Sequence, residues 1–210
     1  MTVGFPRMPS LVRFVTVLTI AVLGAVPVHA ESSGTGFFDD ASVARYVSPS
    51  TPYSSARYAP EGLVPVVSTK CLSVSKAGFS LRKDAAIRLS EMACAYRAAF
   101  GSKLLVVSTY RSFAKQVSIK RGGCPDSLCA KAGYSEHQSG LAVDLFEATT
   151  KREFFAKRLN ARRYEWLSVN AHAFGFHNPY RNGAATDGYD PEPWHWRYLG
   201  VPLATVLRDS

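Results

Sequence analysis

Apolar residues at Ala85, Leu89, Met92, Ala93, Tyr96 and Phe100 recur at intervals of three and four, which places them on one face of an α-helix. The pattern predicts a helix over 79–100, with Ser80 as its N-cap and Gly101 just past its end. The leucine and valine run from Lys103 to Thr109 has the length and composition of a strand. A short helix is expected over 113–121, stopped by Gly122-Gly123, and a short, largely buried strand over 141–146 after a turn at Gly140. Helical spacing returns over 153–173 through Phe155, Leu159, Trp166, Leu167 and Ala171, with a break near Asn160 and a stop at Gly175. Phe174–His177 leads into another strand. Residues 178–190, rich in Gly, Asn and Asp, form a loop before the strand at Trp194–Tyr198, and a turn of helix over 203–208 follows. This alternation of helices and strands makes the fold class α+β.

The first seventy residues depart from that pattern. Arg7 and Arg13, the apolar run from Phe14 to Val26 and the small-residue site Val28-His29-Ala30 predict a secretory signal peptide over 1–30. The apolar run is shorter than the ~20 residues a membrane span requires, so no stable span is expected after processing. Residues 31–70 are rich in Ser, Thr, Pro, Gly and scattered Tyr without a period, and are expected to be an exposed arm or linker. The domain that carries the chemistry is expected over 71–210.

Charge and cysteine content narrow the setting. The formal charge is +9; two of those positive charges lie in the first thirty residues, leaving +7 on the exported part. Such a field raises the local concentration of anionic partners, of which cell wall and nucleic acid are two. No long Lys/Arg run or nucleic-acid module favours the second, and binding to nucleic acid is not expected. Cys71, Cys94, Cys124 and Cys129 all lie in the exported part, where disulfides persist. Three pairings are possible. The favoured one joins Cys124 to Cys129 around a small loop and Cys71 to Cys94, tying the segment before the first helix to that helix; a structural zinc is the competitor, with poor ligand spacing.

The candidate chemistry sits in two pieces, Ser135–Asp144 and Glu192–His195. They offer two imidazoles and one carboxylate, His137, Asp144 and His195, with a further carboxylate, Glu192, to spare. A catalytic zinc keeps three protein ligands and one open position, so that set is complete for Zn²⁺, and Glu192 is the candidate base. Residues 192 and 195 of a regular strand would point to opposite faces, so a bend at Pro193 is required to bring Glu192 to the metal. Arg111, delivered to the end of the 103–109 strand, is placed to anchor a carboxylate or to stabilise developing negative charge. His172 and His177 are read as structural.

The same residues match SxHxxGxAxD (Ser135, His137, Gly140, Ala142, Asp144) and ExWHxRY (Glu192, Trp194, His195, Arg197, Tyr198) without a substitution. With the Tyr110-Arg111-Ser112 turn and Gln116, the chain resembles the VanY-type zinc D-alanyl-D-alanine carboxypeptidases over roughly 72–200. The resemblance implies the fold shared by lysostaphin, D-Ala-D-Ala peptidases and hedgehog proteins, with a small, mainly antiparallel sheet flanked by helices and carrying a single zinc site. It implies substrate-side or supporting hydrogen bonds from Gln116 and Ser135. It also implies a peptidase that acts on peptidoglycan stem peptides, removing a terminal D-alanine; the predicted export signal places it in the periplasm or at the cell wall, and a monomer is expected. L,D-carboxypeptidase and stem endopeptidase activities share the metal pattern. A zinc-stabilised wall-binding module is the non-enzymatic alternative, against which the intact Glu192 argues.

Overall fold

The computed structural model describes residues 36–146 and 161–208. The predicted signal peptide and residues 153–160 of the predicted second long helix lie outside the described residues. Chain order is β1 (Leu63–Pro65), β2 (Leu72–Val74), β3 (Ser80–Arg82), α1 (Lys83–Phe100), β4 (Leu104–Ser108), α2 (Phe113–Arg121), a 3₁₀ turn at Glu136–Ser139, and β5 (Ala142–Phe146). Then come α3 (Ala161–Asn170), a second 3₁₀ turn at Ala171–Phe174, β6 (Phe176–His177), α4 (Ala184–Asp187), β7 (His195–Tyr198) and α5 (Val201–Arg208). The loop predicted over 178–190 thus includes the short helix α4.

Helix α1 buries the face its spacing predicts: Ala85, Leu89, Met92, Ala93 and Tyr96 are all fully buried. It ends at Gly101, whose positive φ of 69° lets its N–H reach the Arg97 carbonyl. The start differs from the prediction. The helix begins at Lys83 with Arg82 as the N-cap, and Ser80 lies in a strand paired with β1. The Ser80 N–H donates to Thr109 Oγ1 and its carbonyl accepts from Tyr110 N, so tertiary partners take the backbone groups that a cap would have used.

The five-stranded sheet has the order β2-β4-β5-β7-β6, and only the β2–β4 pairing is parallel. One face is apolar: Leu104, Val106, Val143, Leu145, Trp196 and Tyr198 join α1 in the core. Tyr96 of α1 meets Trp166 of α3 edge-on at 5.7 Å, while Leu167 and Ala171 are buried as their spacing predicts. Period-two alternation sends the residues between them to the opposite face, where Asp144 of β5 stands directly across from His195 of β7. Both favoured disulfides are present, Cys71–Cys94 pinning the start of β2 to α1 and Cys124–Cys129 closing the loop after α2. No helix among the described residues is long and apolar enough to cross a membrane.

The segment read as an exposed arm keeps most of its described residues exposed but is a strap anchored to the domain from Arg45 onward by a few buried side chains. Arg45, Val47, Tyr53 and Val66 are buried, and β1 belongs to a sheet. The loop folds around one guanidinium: Arg45 donates to Asp40 at 2.8 Å and to the carbonyls of Phe37, Tyr46 and Pro52. A loop organised by a buried cation needs no hydrophobic period, which is why its packing leaves no periodic trace. The strap then binds the domain. Arg197 Nη2 donates to the carbonyls of Val43 and Arg45, Gln138 Nε2 to those of Ala56 and Tyr58, and the Tyr53 hydroxyl to that of Ser135.

Candidate metal centre and active-site cleft

Gly140 makes the approach between the two halves of the first motif. It ends the 3₁₀ turn with φ of 71°, a conformation that favours glycine, and a Cβ there would lie 2.7 Å from Leu63 Cδ2, whose tip would have to move aside. The chain enters β5 two residues later and reaches Asp144 on the polar face. The turn itself is locked to the end of β4, because Arg111 N–H donates to the His137 carbonyl.

Glu192 reaches the same place through a turn. The His195 N–H donates to the Glu192 carbonyl at 3.0 Å across Pro193 and Trp194. This is the bend that a regular strand lacks, and it places Glu192 Oε2 3.9 Å from His195 Nδ1.

His137, Asp144 and His195 each offer one ligand atom, all within 4.8 Å of one another. His137 Nε2 and His195 Nδ1 both stand 3.2 Å from Asp144 Oδ1. Each ring is oriented by a hydrogen bond from its other nitrogen. His137 Nδ1 is 2.7 Å from the Thr109 carbonyl, which can only accept, so that nitrogen carries the proton. Burial and the Arg111 charge lower the His137 pKa to about 4, leaving a neutral ring whose Nε2 lone pair is buried without a hydrogen-bond partner. His195 is presented the other way round, its Nε2 2.8 Å from Glu136 Oε2 and its Nδ1 facing Asp144.

The electrostatics favour a cation. Burial opposes ionisation of Asp144, yet the two imidazoles outweigh it and hold its carboxyl well below the usual range. Burial likewise works against a charged His195, but its hydrogen bonds to Asp144 and Glu136 raise its pKa to about 10. A metal at Nδ1 would take the place of that proton, so the donor set, the orphaned Nε2 of His137 and the surplus of carboxylates all fit a divalent ion. Glu192 differs from these groups: burial, with Asp144 nearby, raises its pKa to about 7 in spite of His195 and Arg111.

Glu136 had no role in the sequence reading. It is buried, it orients His195, and it stands 3.7 Å from Arg197 Nε. Arg197 in turn donates to Ser139 Oγ at 2.7 Å, so the arginine of the second motif holds the 3₁₀ turn of the first. The only hint in sequence is a carboxylate beside a candidate ligand, since its partner lies 59 residues away. Glu136→Ala is expected to weaken metal affinity about 10–100-fold, whereas Glu136→Gln, whose amide oxygen still accepts from Nε2–H, retains most of it. Chelator competition on the two variants checks this.

The cleft is walled by Arg111, Ser135, Tyr180, Tyr189, Leu128 and Ala130 beside the cluster and Glu192. Arg111 is half-buried and its Nε has no hydrogen-bond partner. Tyr180 stacks on His195 with centroids 4.9 Å apart, Tyr189 packs against Tyr180, and Glu192 N–H donates to the Tyr180 carbonyl. Neither tyrosine stood out in sequence, since both lie in a stretch rich in loop residues. Gln116 does not line the cleft. It is fully buried and braces the wall from behind, its amide donating to the Ala130 carbonyl at 2.7 Å. His172 lies away from the cluster and accepts from Arg208 at 3.0 Å.

Fold and cluster together define an α+β domain with a metal site on the polar face of its sheet. Residues 78–201 match the VanY family, described as D-alanyl-D-alanine carboxypeptidase, and the chain belongs to that family. A D-alanyl-D-alanine carboxypeptidase of Enterococcus faecium is 33% identical over 132 residues, 62% of this chain and 41% of that protein. The chain spans about half the length or less of the curated relatives it matches over comparable stretches. Among solved structures, the LdcB LD-carboxypeptidase superposes with a TM-score of 0.63 at 30% identity, covering 80% of this chain and 81% of its own. A mutant of the vancomycin-resistance D,D-pentapeptidase VanY in complex with Zn(II) does so with a TM-score of 0.58 at 25% identity, covering 78% and 92%.

Proposed function

We propose that this protein is an exported zinc carboxypeptidase that removes the terminal D-alanine from peptidoglycan stem peptides. The observation that carries the reading is the convergence of the His137, Asp144 and His195 ligand atoms within 4.8 Å, with the Glu192 carboxylate set beside them and outside the cluster. His137 Nε2, Asp144 Oδ1 and His195 Nδ1 would hold the metal. When bound, zinc supplies Lewis acidity toward the peptide carbonyl and lowers the pKa of water toward ~7.

The chain's own residues do the rest. Glu192, with its pKa raised to about 7, takes a proton from the attacking water and returns it to the departing amine as the terminal C–N bond breaks and a C–O bond forms. Arg111 pairs with the substrate's terminal carboxylate through its planar donor fork. Ser135, in the cleft wall, offers a hydrogen bond to the substrate. The second reading, cleavage of the L,D bond in tetrapeptide stems, is favoured by the likeness to an LD-carboxypeptidase at 30% identity. A wall-binding module with a structural zinc has no use for Glu192, and its site would close the fourth position.

Mass spectrometry of defined pentapeptide and tetrapeptide muropeptides incubated with the zinc-loaded protein tests the proposal. Loss of one alanine from the pentapeptide is expected. Loss from the tetrapeptide alone moves the assignment to L,D, internal cleavage moves it to an endopeptidase, and no product from either stem returns the protein to the binding-module class.

A further inference from the structure

We infer that the disulfide-closed loop 124–129 selects the substrate, with Leu128 contacting the residue on the amino side of the scissile bond. The inference rests on the carboxypeptidase reading above and extends it to a residue that neither motif contains. Leu128 is 39% exposed and takes no part in the core, yet it lines the same cleft as Arg111, Glu192 and the metal cluster. Apart from Ala130 the rest of the lining is charged, polar or aromatic, so this apolar side chain at the cleft wall is available to the substrate rather than to folding.

The loop is tied to both working ends of the site. Leu128 N and Cys129 N both donate to the Pro125 carbonyl, making one tight turn, and the Cys124–Cys129 bond closes it. Lys120 Nζ donates to the Cys124 carbonyl and Gln116 Nε2 to the Ala130 carbonyl, so α2, which begins two residues after Arg111, carries the loop on its back. On the other side Asp190 N–H donates to the Ser127 carbonyl at 2.8 Å, joining the loop to the segment that runs into Glu192. The position of Leu128 is therefore set relative to the carboxylate anchor and to the base together.

With Arg111 on the terminal carboxylate and the metal cluster and Glu192 at the scissile bond, the apolar wall is left for the preceding residue. In a pentapeptide stem that residue is D-alanine, whose methyl group packs on Leu128. In a tetrapeptide stem it is a diamino acid, whose charged side chain loses water against the same wall without a partner. The loop thus favours the D,D bond.

The test compares kcat/KM for pentapeptide and tetrapeptide stems in the wild type, in Leu128→Ala, in Leu128→Glu, and in the double variant Cys124→Ser/Cys129→Ser, with zinc content and melting temperature measured on each. Leu128→Ala is expected to lower the pentapeptide value about tenfold, mainly through KM, and to leave the tetrapeptide value equal or higher as the apolar wall recedes from the diamino acid. Leu128→Glu places a carboxylate opposite the diamino acid and shifts the ratio further toward the tetrapeptide. The double serine variant shifts it in the same direction as Leu128→Ala. An unchanged ratio in both Leu128 variants at full zinc content overturns the inference while leaving the carboxypeptidase reading in place. A wild type that cleaves only the tetrapeptide also overturns it, and a wild type that cleaves neither stem overturns both.

Discussion

Glu192→Ala is expected to bind a full equivalent of zinc and to lose at least about 10²-fold in turnover of its stem peptide. The two halves of that expectation come from different features of the site. Metal retention follows from the ligand set: His137, Asp144 and His195 are complete without Glu192, whose nearest oxygen is 3.9 Å from His195 Nδ1. Loss of rate follows from the proton. Burial holds the Glu192 carboxyl at a pKa of about 7, where it can both take and release a proton near neutral pH, and among the described residues no other carboxylate beside the cluster has that property. Glu136 is buried against His195 and Arg197 and is held below its ordinary pKa, because those partners outweigh its burial; Asp144 is spent on the imidazoles. Metal analysis by plasma mass spectrometry alongside muropeptide turnover checks both halves. Wild-type turnover in the metal-loaded variant would remove Glu192 from the mechanism.

His195→Ala is expected to have a larger effect because it removes more than a candidate ligand. Activity is expected to fall to that of chelator-stripped protein, with zinc no longer retained through gel filtration. The same substitution takes the nearest partner from Glu136, at 2.8 Å, and one of two imidazoles from Asp144, at 3.2 Å. Glu136 keeps Arg197 at 3.7 Å and Asp144 keeps the neutral His137 ring, so the cost is part of the about 3–5 kcal/mol of a broken buried pair. His137→Ala is the informative comparison. It also removes a ligand, but the Glu136–His195–Asp144 chain stays intact and its own partner at Nδ1 is a neutral carbonyl. Both variants should be inactive, and in the metal-free state His195→Ala should melt well below His137→Ala. Equal melting temperatures would show that Glu136 and Asp144 find other partners once the ring is gone.

Much of this site could be read from residue types and spacing. Two imidazoles and a carboxylate near a spare glutamate specify metal chemistry wherever the chain folds them together, and the three-and-four spacing of α1 predicts its buried face because a helix has no other way to gather those side chains. Both disulfide pairings were also legible, since one closes a five-residue step and the other joins the two remaining cysteines. What tertiary structure decided are the contacts between residues far apart in sequence. Ser80 belongs to a strand because Thr109 and Tyr110 claim its backbone. Gln116 faces the wall because the Ala130 carbonyl, fourteen residues on, takes its amide. The strap is anchored because Arg45 gathers the carbonyls of a loop with no hydrophobic period. Glu136 becomes the orienting group of His195 only when β7 is laid beside β5. Local pattern follows from the periodicity of one element, whereas each of these depends on which element the sheet order places next to it, and that order is set by the burial of all the strands at once.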